Sequence, residues 1–184
     1  QWGLQSPGQS LTFGRMIADS RTSVAFTGHR TYRGAAADAL RRTVGELYAR
    51  GFRNFLSGMA VGFDLAAAEA VLELRERAPG VRLVAAVPFR GQEMRFSPAD
   101  RERFRRVLAE ADSVEVLAPA YHRGCYAVRN DFLVYNARVL VAWYDGSPGG
   151  TRYTVRRALG RGLEVVNLCP AAPVPPAPEP TLFG

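Results

Sequence analysis

Glycine lies beside hydroxyl, imidazole, carboxyl or guanidinium groups in five short segments of this sequence. The segments are TGHR (27–30), SGMAVGFD (57–64), PFRGQE (88–93), PAYHRGC (119–125) and YDGSPGGT (144–151). Glycine lets a ligand approach the backbone closely, and the free N–H groups at a helix N-terminus favour anions, phosphate above all. Where such a segment leads into a helix we predict a phosphate-binding turn, although each one taken alone also fits an ordinary tight turn.

Three side chains in these segments could take part in acid–base chemistry. His29, beside a bound phosphate, could act as a general acid or bond the ligand, or it could only hydrogen-bond the backbone of its own turn. Glu93 could bind a ribose hydroxyl or act as a base. Asp64 could contact the ligand or cap its own helix. His29 and Glu93 are therefore the catalytic candidates.

The cysteines and histidines predict no metal site. Cys125 and Cys169 are far apart and form no CxxC pair, and the chain has only 2 histidines. Two unpaired thiols favour a reducing compartment, so we expect a cytoplasmic protein. The opening residues lack the apolar stretch of a signal peptide, and no apolar run approaches the ~20 residues of a membrane span.

The elements that must position these segments alternate along the chain. Short apolar runs predict six strands: SVAFTG, FRNFLSG, VRLVAAVPF, SVEVLA, RVLVAWY and LEVVNL. Helical spacing of apolar residues, with glycine and proline breaks, predicts helices over 34–50, 62–78, 97–111, 126–136 and 149–162. Ser97 and Pro98 fit the cap and first position of the third helix.

Strict alternation of strands and helices predicts an α/β fold, a doubly wound and mainly parallel Rossmann-like sheet of about six strands with helices on both faces. Ligands of such sheets bind at the carboxyl ends of the strands, and all five glycine-bearing segments follow strands. We assign residues 22–169 to this domain, 1–21 to a flexible arm and 170–184 to a disordered, proline-rich tail. Trp143 and Tyr144, at the end of the fifth strand, could stack on a base or fill the core.

The charge leaves two interpretations open. The formal net charge is +7, and the chain contains no lysine, which excludes a Walker-type P-loop lysine and a Schiff-base lysine. The positive charge permits a nucleic-acid or phosphorylated partner, but arginines scattered over several helices also fit solvated surfaces. The sequence leaves a homo-oligomer open.

Five segments together resemble the SLOG superfamily, which includes the DNA-processing protein DprA and the LOG-type proteins, and they are most similar to its YpsA-type branch. The segments are VAFTGHR, FLSGMAVGFDLAAAE, PFRGQEMRF, YHRGCYAVRNDFLVYNARVLVAWYDG and GGTRYTVRRAL. They occur in order from about Ser23 to Cys169. The resemblance implies a Rossmann-like fold that binds a nucleotide or a nucleotide-derived ligand.

Carried over to matching positions, the resemblance also implies a set of ligand-binding residues. The set is Thr27, Gly28, His29, Arg30, Ser57, Gly58, Met59, Gly62, Asp64, Gln92, Glu93, Arg129, Asn130, Gly149, Gly150 and Thr151. Arg30 and Arg129 are suited to phosphate oxygens, and Ser57 and Thr151 to hydroxyl hydrogen bonds.

Three functions follow from these observations, with a phosphate-bearing small molecule as the expected partner. The first is a nucleotide-binding sensor or regulatory domain. The second is a LOG-like phosphoribohydrolase that cleaves nucleotides; enzymes of that type carry a catalytic glutamate after their glycine–threonine turn, whereas GGTRYTVRR has no acid there. The third is single-stranded nucleic-acid binding of the DprA type, for which the sequence shows no run of alternating basic and aromatic residues.

Overall fold

The structure, a computed structural model, describes residues 19–170 of the chain. Residues 1–18 of the predicted arm and 171–184 of the predicted tail lie outside this range. The last part of the predicted arm is ordered by Asp19, whose carboxylate accepts a hydrogen bond from the Arg21 backbone N–H and so caps a 3₁₀ turn over Ser20–Thr22.

Six strands and five α-helices alternate along the described part of the chain. The strands are β1 Ser23–Gly28, β2 Asn54–Ser57, β3 Arg82–Val87, β4 Ser113–Val116, β5 Val139–Trp143 and β6 Glu164–Asn167. The helices are α1 Ala37–Ala49, α2 Phe63–Arg75, α3 Pro98–Glu110, α4 Cys125–Tyr135 and α5 Gly150–Gly160. None of the helices within residues 19–170 is long and apolar enough to cross a bilayer.

The strands form one parallel sheet in the order β4-β3-β2-β1-β5-β6. The chain runs outward from β1 to β4, then returns to β5 on the other side of β1. The order therefore reverses between β1 and β5, which is the point where ligands of such sheets bind, at the carboxyl ends of the strands. The predicted fold class is confirmed.

Two helical layers cover the sheet, because side chains alternate between the faces of each strand. Val24 and Phe26 of β1 pack in the larger core with α1, α2 and α3. Ala25, between them, packs in the smaller core with α4 and α5. Both faces of β1 are thus buried, as its continuous apolar sequence requires.

The helix boundaries differ from the prediction at two glycine or proline sites. α1 begins at Ala37 rather than Gly34, since Gly34 has a φ of 90° that a right-handed helix excludes. α2 ends at Arg75 rather than at Ala78, because Pro79 has no N–H to bond the Arg75 carbonyl and also disfavours helical backbone at Ala78. The Ser97 cap is confirmed: its hydroxyl oxygen accepts from the Asp100 N–H at 3.2 Å, and Pro98 opens the helix.

Candidate functional site at the carboxyl edge of the sheet

The turns after β1 and β5 meet through one imidazole. His29 Nε2 lies 2.7 Å from Asp145 Oδ1, and the Asp145 backbone N–H donates to the same nitrogen at 3.2 Å. Hydrogen bonds from the Ser147 hydroxyl and backbone N–H, together with the nearby His29, hold the pKa of the Asp145 carboxyl below its ordinary value. His29 thus joins the two turns on either side of the switch point.

The turn after β2 is fastened to the first turn of α2. Ser57 Oγ donates to the carbonyl of Asp64 at 2.9 Å and accepts from the Met59 N–H at 3.2 Å. Met59 has a φ of 58°, unusual for a residue with a side chain, and it is completely buried. Because the Ser57 hydroxyl has two backbone partners, its main role in this structure is to fix the loop.

The glycines of these turns allow the loops to pack against one another. A Cβ at Gly28 would lie 2.4 Å from Cβ of Phe63, and one at Gly62 would lie 2.7 Å from the carbonyl oxygens of both His29 and Arg30. A Cβ at Gly58 would lie 2.7 Å from Nη1 of Arg129. The sequence explained these glycines by ligand approach, whereas protein atoms occupy the space beside all three.

An arginine and a carboxylate are buried together below these loops. Arg129 and Asp64 are 6% and 4% exposed, and the Arg129 Nη1 to Asp64 Oδ2 distance is 3.9 Å. Arg129 donates through Nη1 to the Gly58 carbonyl and through Nε to Asn130 Oδ1 at 2.7 Å. The guanidinium is therefore engaged by protein acceptors, and it links α4 to the β2 turn.

Burial controls the acid–base properties of this pair. Burial raises the pKa of Asp64 to about 6, although Arg129, the Ala60 N–H, Arg30 and, least of all, the Gly28 N–H act in the opposite direction. Burial likewise lowers the pKa of Arg129. Asp64 does not cap α2; its Oδ2 instead accepts from the Ala60 N–H of the loop at 3.4 Å.

Two buried oxygen atoms in this cluster lack a hydrogen-bond donor among the described residues. They are Oδ1 of Asp64 and Oε1 of Gln92. Gln92 is 1% exposed, and its Nε2 donates to the Met59 carbonyl at 3.4 Å, so the amide is held against the β2 turn. A buried acceptor without a donor is unfavourable by about 1–3 kcal/mol, which makes these atoms suited to a ligand that donates hydrogen bonds.

The other predicted residues lie around the same edge. Thr27, Glu93, Asn130 and Thr151 are buried, and Gly149 is exposed with a φ of 136°. Glu93 follows Gln92 in a 3₁₀ turn over Gln92–Arg95, which the sequence did not predict. Asn130 Nδ2 lies 3.7 Å from the position of a Cβ on Gly150. No three His, Cys, Asp or Glu side chains of residues 19–170 are grouped to ligate a metal ion.

An aromatic cluster with arginines on two sides lies at this edge and was missed by the sequence reasoning. Phe89 packs edge-on against Tyr121 and Tyr126, at centroid distances of 5.4 and 5.9 Å. The Arg95 guanidinium lies 4.8 Å from the Tyr121 centroid, and that of Arg30 lies 5.1 Å from the Tyr126 centroid. These residues come from three separate segments, so no single sequence run revealed the cluster. Aromatic residues shortly after strands were the available signal.

The aromatics at the end of β5 pack against the core instead. Trp143 packs edge-on against Tyr32 at 5.1 Å, and Tyr144 is buried against α4 and α5. Tyr121, by contrast, is 53% exposed. Base stacking at this edge would therefore involve the cluster around Tyr121 rather than the end of β5.

Comparison with solved structures shows the same fold in DNA processing protein A. The DprA of Streptococcus pneumoniae matches with a TM-score of 0.58 and 19% identity, over 79% of this chain and 49% of that one. The DprA of Helicobacter pylori, whose structure concerns single-stranded DNA binding, matches with a TM-score of 0.54 and 16% identity, over 80% of this chain and 66% of that one.

Sequence comparison identifies relatives of more similar sequence. A UPF0398 protein of Shouchella clausii is 38% identical over 94 residues, which are 50% of this chain and 50% of that protein. A UPF0398 protein of Bacillus thuringiensis is 29% identical over 132 residues, 70% of this chain and 71% of that protein. The match thus spans half of one relative and about seven tenths of the other. The model of the YpsA (YspA) SLOG family matches residues 25–162, and the chain therefore belongs to the YpsA family of SLOG proteins.

Proposed function

We propose that this protein binds a nucleotide or a nucleotide-derived ligand at the carboxyl edge of the sheet, as a sensor or regulatory domain of the cytoplasm. The observation that carries the proposal is the pair of buried acceptors without donors, Asp64 Oδ1 and Gln92 Oε1. Inorganic phosphate offers few donors to such atoms, whereas the hydroxyls of a ribose or the amino group of a base can donate to both.

The surroundings of these acceptors suit the other parts of a nucleotide. The N-terminus of α5, with Gly149, Gly150 and Thr151, has free N–H groups for phosphate. The exposed Tyr121 and the half-buried Tyr126 offer rings for a base, and Arg30 lies beside Tyr126. We call the turns that follow β1 to β5, at 27–30, 57–64, 88–95, 119–126 and 144–151, the loop edge. The predicted ligand-binding residues of the loop edge would then form the walls of the site, with Arg129 holding the loops in position.

Calorimetry with AMP, adenosine, ribose 5-phosphate and inorganic phosphate tests the proposal. We expect AMP to bind more tightly than phosphate alone. The Gln92→Met variant should still fold, because it removes an acceptor that lacks a donor and loses only the long, 3.4 Å hydrogen bond to the Met59 carbonyl. It should bind AMP more weakly by roughly tenfold. Unchanged AMP affinity in Gln92→Met, or no heat with a wider nucleotide panel, would contradict the proposal.

The same samples test nucleotide cleavage. Glu93 and His29 remain the candidates for the acid–base roles in a LOG-like phosphoribohydrolase, and Asp145 is the carboxylate in contact with His29. Chromatography of a nucleoside monophosphate incubated with the protein would reveal free base and ribose 5-phosphate. Unchanged substrate across the panel would remove this alternative and leave the binding proposal intact.

Single-stranded nucleic-acid binding is the second candidate, and the aromatic cluster favours it. Successive bases stack on exposed rings, and arginines between the rings attract the phosphates. Tyr121→Ala should weaken binding of an oligodeoxythymidylate, while Tyr121→Phe should keep the stacking ring and most of the affinity. Equal affinities of the two variants would show that the ring does not take part.

A further inference from the structure

One face of α5 carries arginines along its whole length. Residues 149, 152, 153, 156, 157, 160 and 161 follow the i, i+3, i+4, i+7 spacing of a single helical face and line an open groove of about 690 Å³. We define the α5 basic face as Arg152, Arg156, Arg157 and Arg161 together with Tyr153. It begins beside Gly149, at the loop edge, and ends near the amino end of β6.

Most of the positive charge on this face is unneutralised. Asp131 of α4 accepts from Arg157 Nε at 3.0 Å and from the Tyr153 hydroxyl at 2.9 Å. Arg152 and Arg156 have no carboxylate partner anywhere in residues 19–170. The two lie one helical turn apart, about 5–6 Å between their Cβ atoms, so they present a double positive charge to one ligand.

Aromatic rings accompany the arginines. The Arg161 guanidinium lies 3.8 Å from the centroid of Tyr135, a residue of α4 that is 50% exposed. Tyr153, in the middle of the face, is 40% exposed. A surface of arginines interspersed with exposed rings matches the requirements of a single strand, whose phosphates and bases are both accessible.

We infer that the α5 basic face holds the sugar–phosphate backbone of a single-stranded nucleic acid as the strand leaves the loop edge. The inference rests on the second candidate function, since the strand must reach the aromatic cluster as well. Gly150 at the start of α5 lies beside Asn130 of α4, and Tyr126 is one turn earlier on α4, so the two surfaces adjoin. With 11 residues, α5 is about 16 Å long, enough for a short stretch of backbone.

An acidic protein segment is the competing occupant of such a face. The exposed rings favour a nucleic acid, because an acidic peptide gains little from stacking surfaces. A polyglutamate competitor separates the two: displacement of the oligonucleotide by polyglutamate at equal charge concentration would overturn the inference in favour of a protein partner.

The experiment is fluorescence anisotropy of a labelled oligodeoxythymidylate with the full chain at several salt concentrations. The test variant is Arg152→Ala combined with Arg156→Ala. The control is Arg42→Ala combined with Arg105→Ala, which removes the same charge from exposed positions of α1 and α3, on the opposite face of the sheet. None of the four arginines has an ion-pair partner within the described range, and alanine is favourable in a helix.

We expect the α5 variant to bind roughly tenfold more weakly, and the slope of log K against log salt to fall in magnitude by about 1.4, since two phosphate contacts are lost. The control variant should bind nearly as the wild type does. If both variants lose the same affinity for the oligonucleotide, the loss reflects the change in net charge alone, and the inference is overturned.

The results for the two sets of variants distinguish failure of the α5 inference from failure of single-stranded nucleic-acid binding itself. If Tyr121→Ala weakens binding but the α5 variant does not, the loop edge binds the strand and the α5 inference is wrong. If the wild type shows no binding even at low salt, both nucleic-acid binding and the α5 inference are wrong. AMP binding at the loop edge is tested separately, by calorimetry.

Discussion

At the scale of single residues, Gly58 shows that a loop can require glycine for lack of space rather than for a left-handed backbone conformation. It has no left-handed backbone conformation, so its requirement comes from space alone. A Cβ there would lie within 3.0 Å of three atoms of the buried pair: Nη1 and Cδ of Arg129 and Oδ2 of Asp64. The residue is thus needed for the loop to close over that pair, whether or not a ligand is present.

Gly58→Ala should therefore lower the free energy of unfolding by about 1–3 kcal/mol, because the added methyl group displaces a buried ion pair. Gly45→Ala is the matched control: Gly45 lies within α1 with no atom close to an added Cβ, so this change should raise stability by roughly 0.5–1 kcal/mol. Urea denaturation measures both. Equal stability of Gly58→Ala and the wild type would show that Arg129 moves aside freely.

Asp64 should make the stability of the protein depend on pH. Burial raises its pKa from 3.8 to about 6, so between these values the folded state binds more protons than the unfolded state. Stability then falls as the pH rises through this window, on the order of 3 kcal/mol from this group. Asp64→Asn removes the contribution. We expect the difference in unfolding free energy, wild type minus variant, to decrease from about pH 4 to about pH 7. A difference that is flat or rises would contradict the raised pKa.

At the scale of elements, local sequence signals determine where helices begin. Ser97 caps α3 through the Asp100 N–H and its hydroxyl donates to Asp100 Oδ2 at 3.0 Å. Ser97→Ala should destabilise the protein by about 1 kcal/mol, while Ser97→Asn, which also accepts from a backbone N–H, should retain most of the stability. Thermal unfolding followed by circular dichroism measures the two. If both variants lose the same stability, the cap contributes little.

These signals explain how much of the structure the sequence could predict. The continuous apolar run of β1 and the Ser97–Pro98 start of α3 act within a few residues, and both were predicted. The ion pair of Asp64 and Arg129 joins residues far apart in sequence, so the periodicity of α2 could not reveal that Asp64 faces inward rather than capping the helix. The cluster of Tyr121, Tyr126 and Arg30 likewise depends on which strand ends become neighbours.

At the scale of the whole molecule, the sheet order sets a gradient of stability. β1 and β5 are hydrogen-bonded on both sides and buried, whereas β4 and β6 lie at the edges and are half exposed. Amide groups at edges exchange through local opening of low free energy, and those in the centre require nearly global unfolding. Hydrogen exchange should therefore be slowest at Val24–Phe26 of β1 and distinctly faster in β4 and β6.

The loop edge is the part of the molecule whose hydrogen-exchange rates a bound ligand should change most. The amides of the turns at 29–30, 58–62 and 144–149 lie outside the hydrogen-bond ladders of the sheet, and those that bond do so mainly to side chains, as Met59 does to Ser57 Oγ and Asp145 to His29 Nε2. These amides should therefore exchange faster than those of β1 in the free protein. Bound AMP should slow exchange in all three turns together, although they are far apart in sequence, and should leave β6 unaffected. Protection of one turn alone, or of β6 to the same extent, would mean that the three turns do not share one ligand, since a ligand at the switch point must contact both sides of β1.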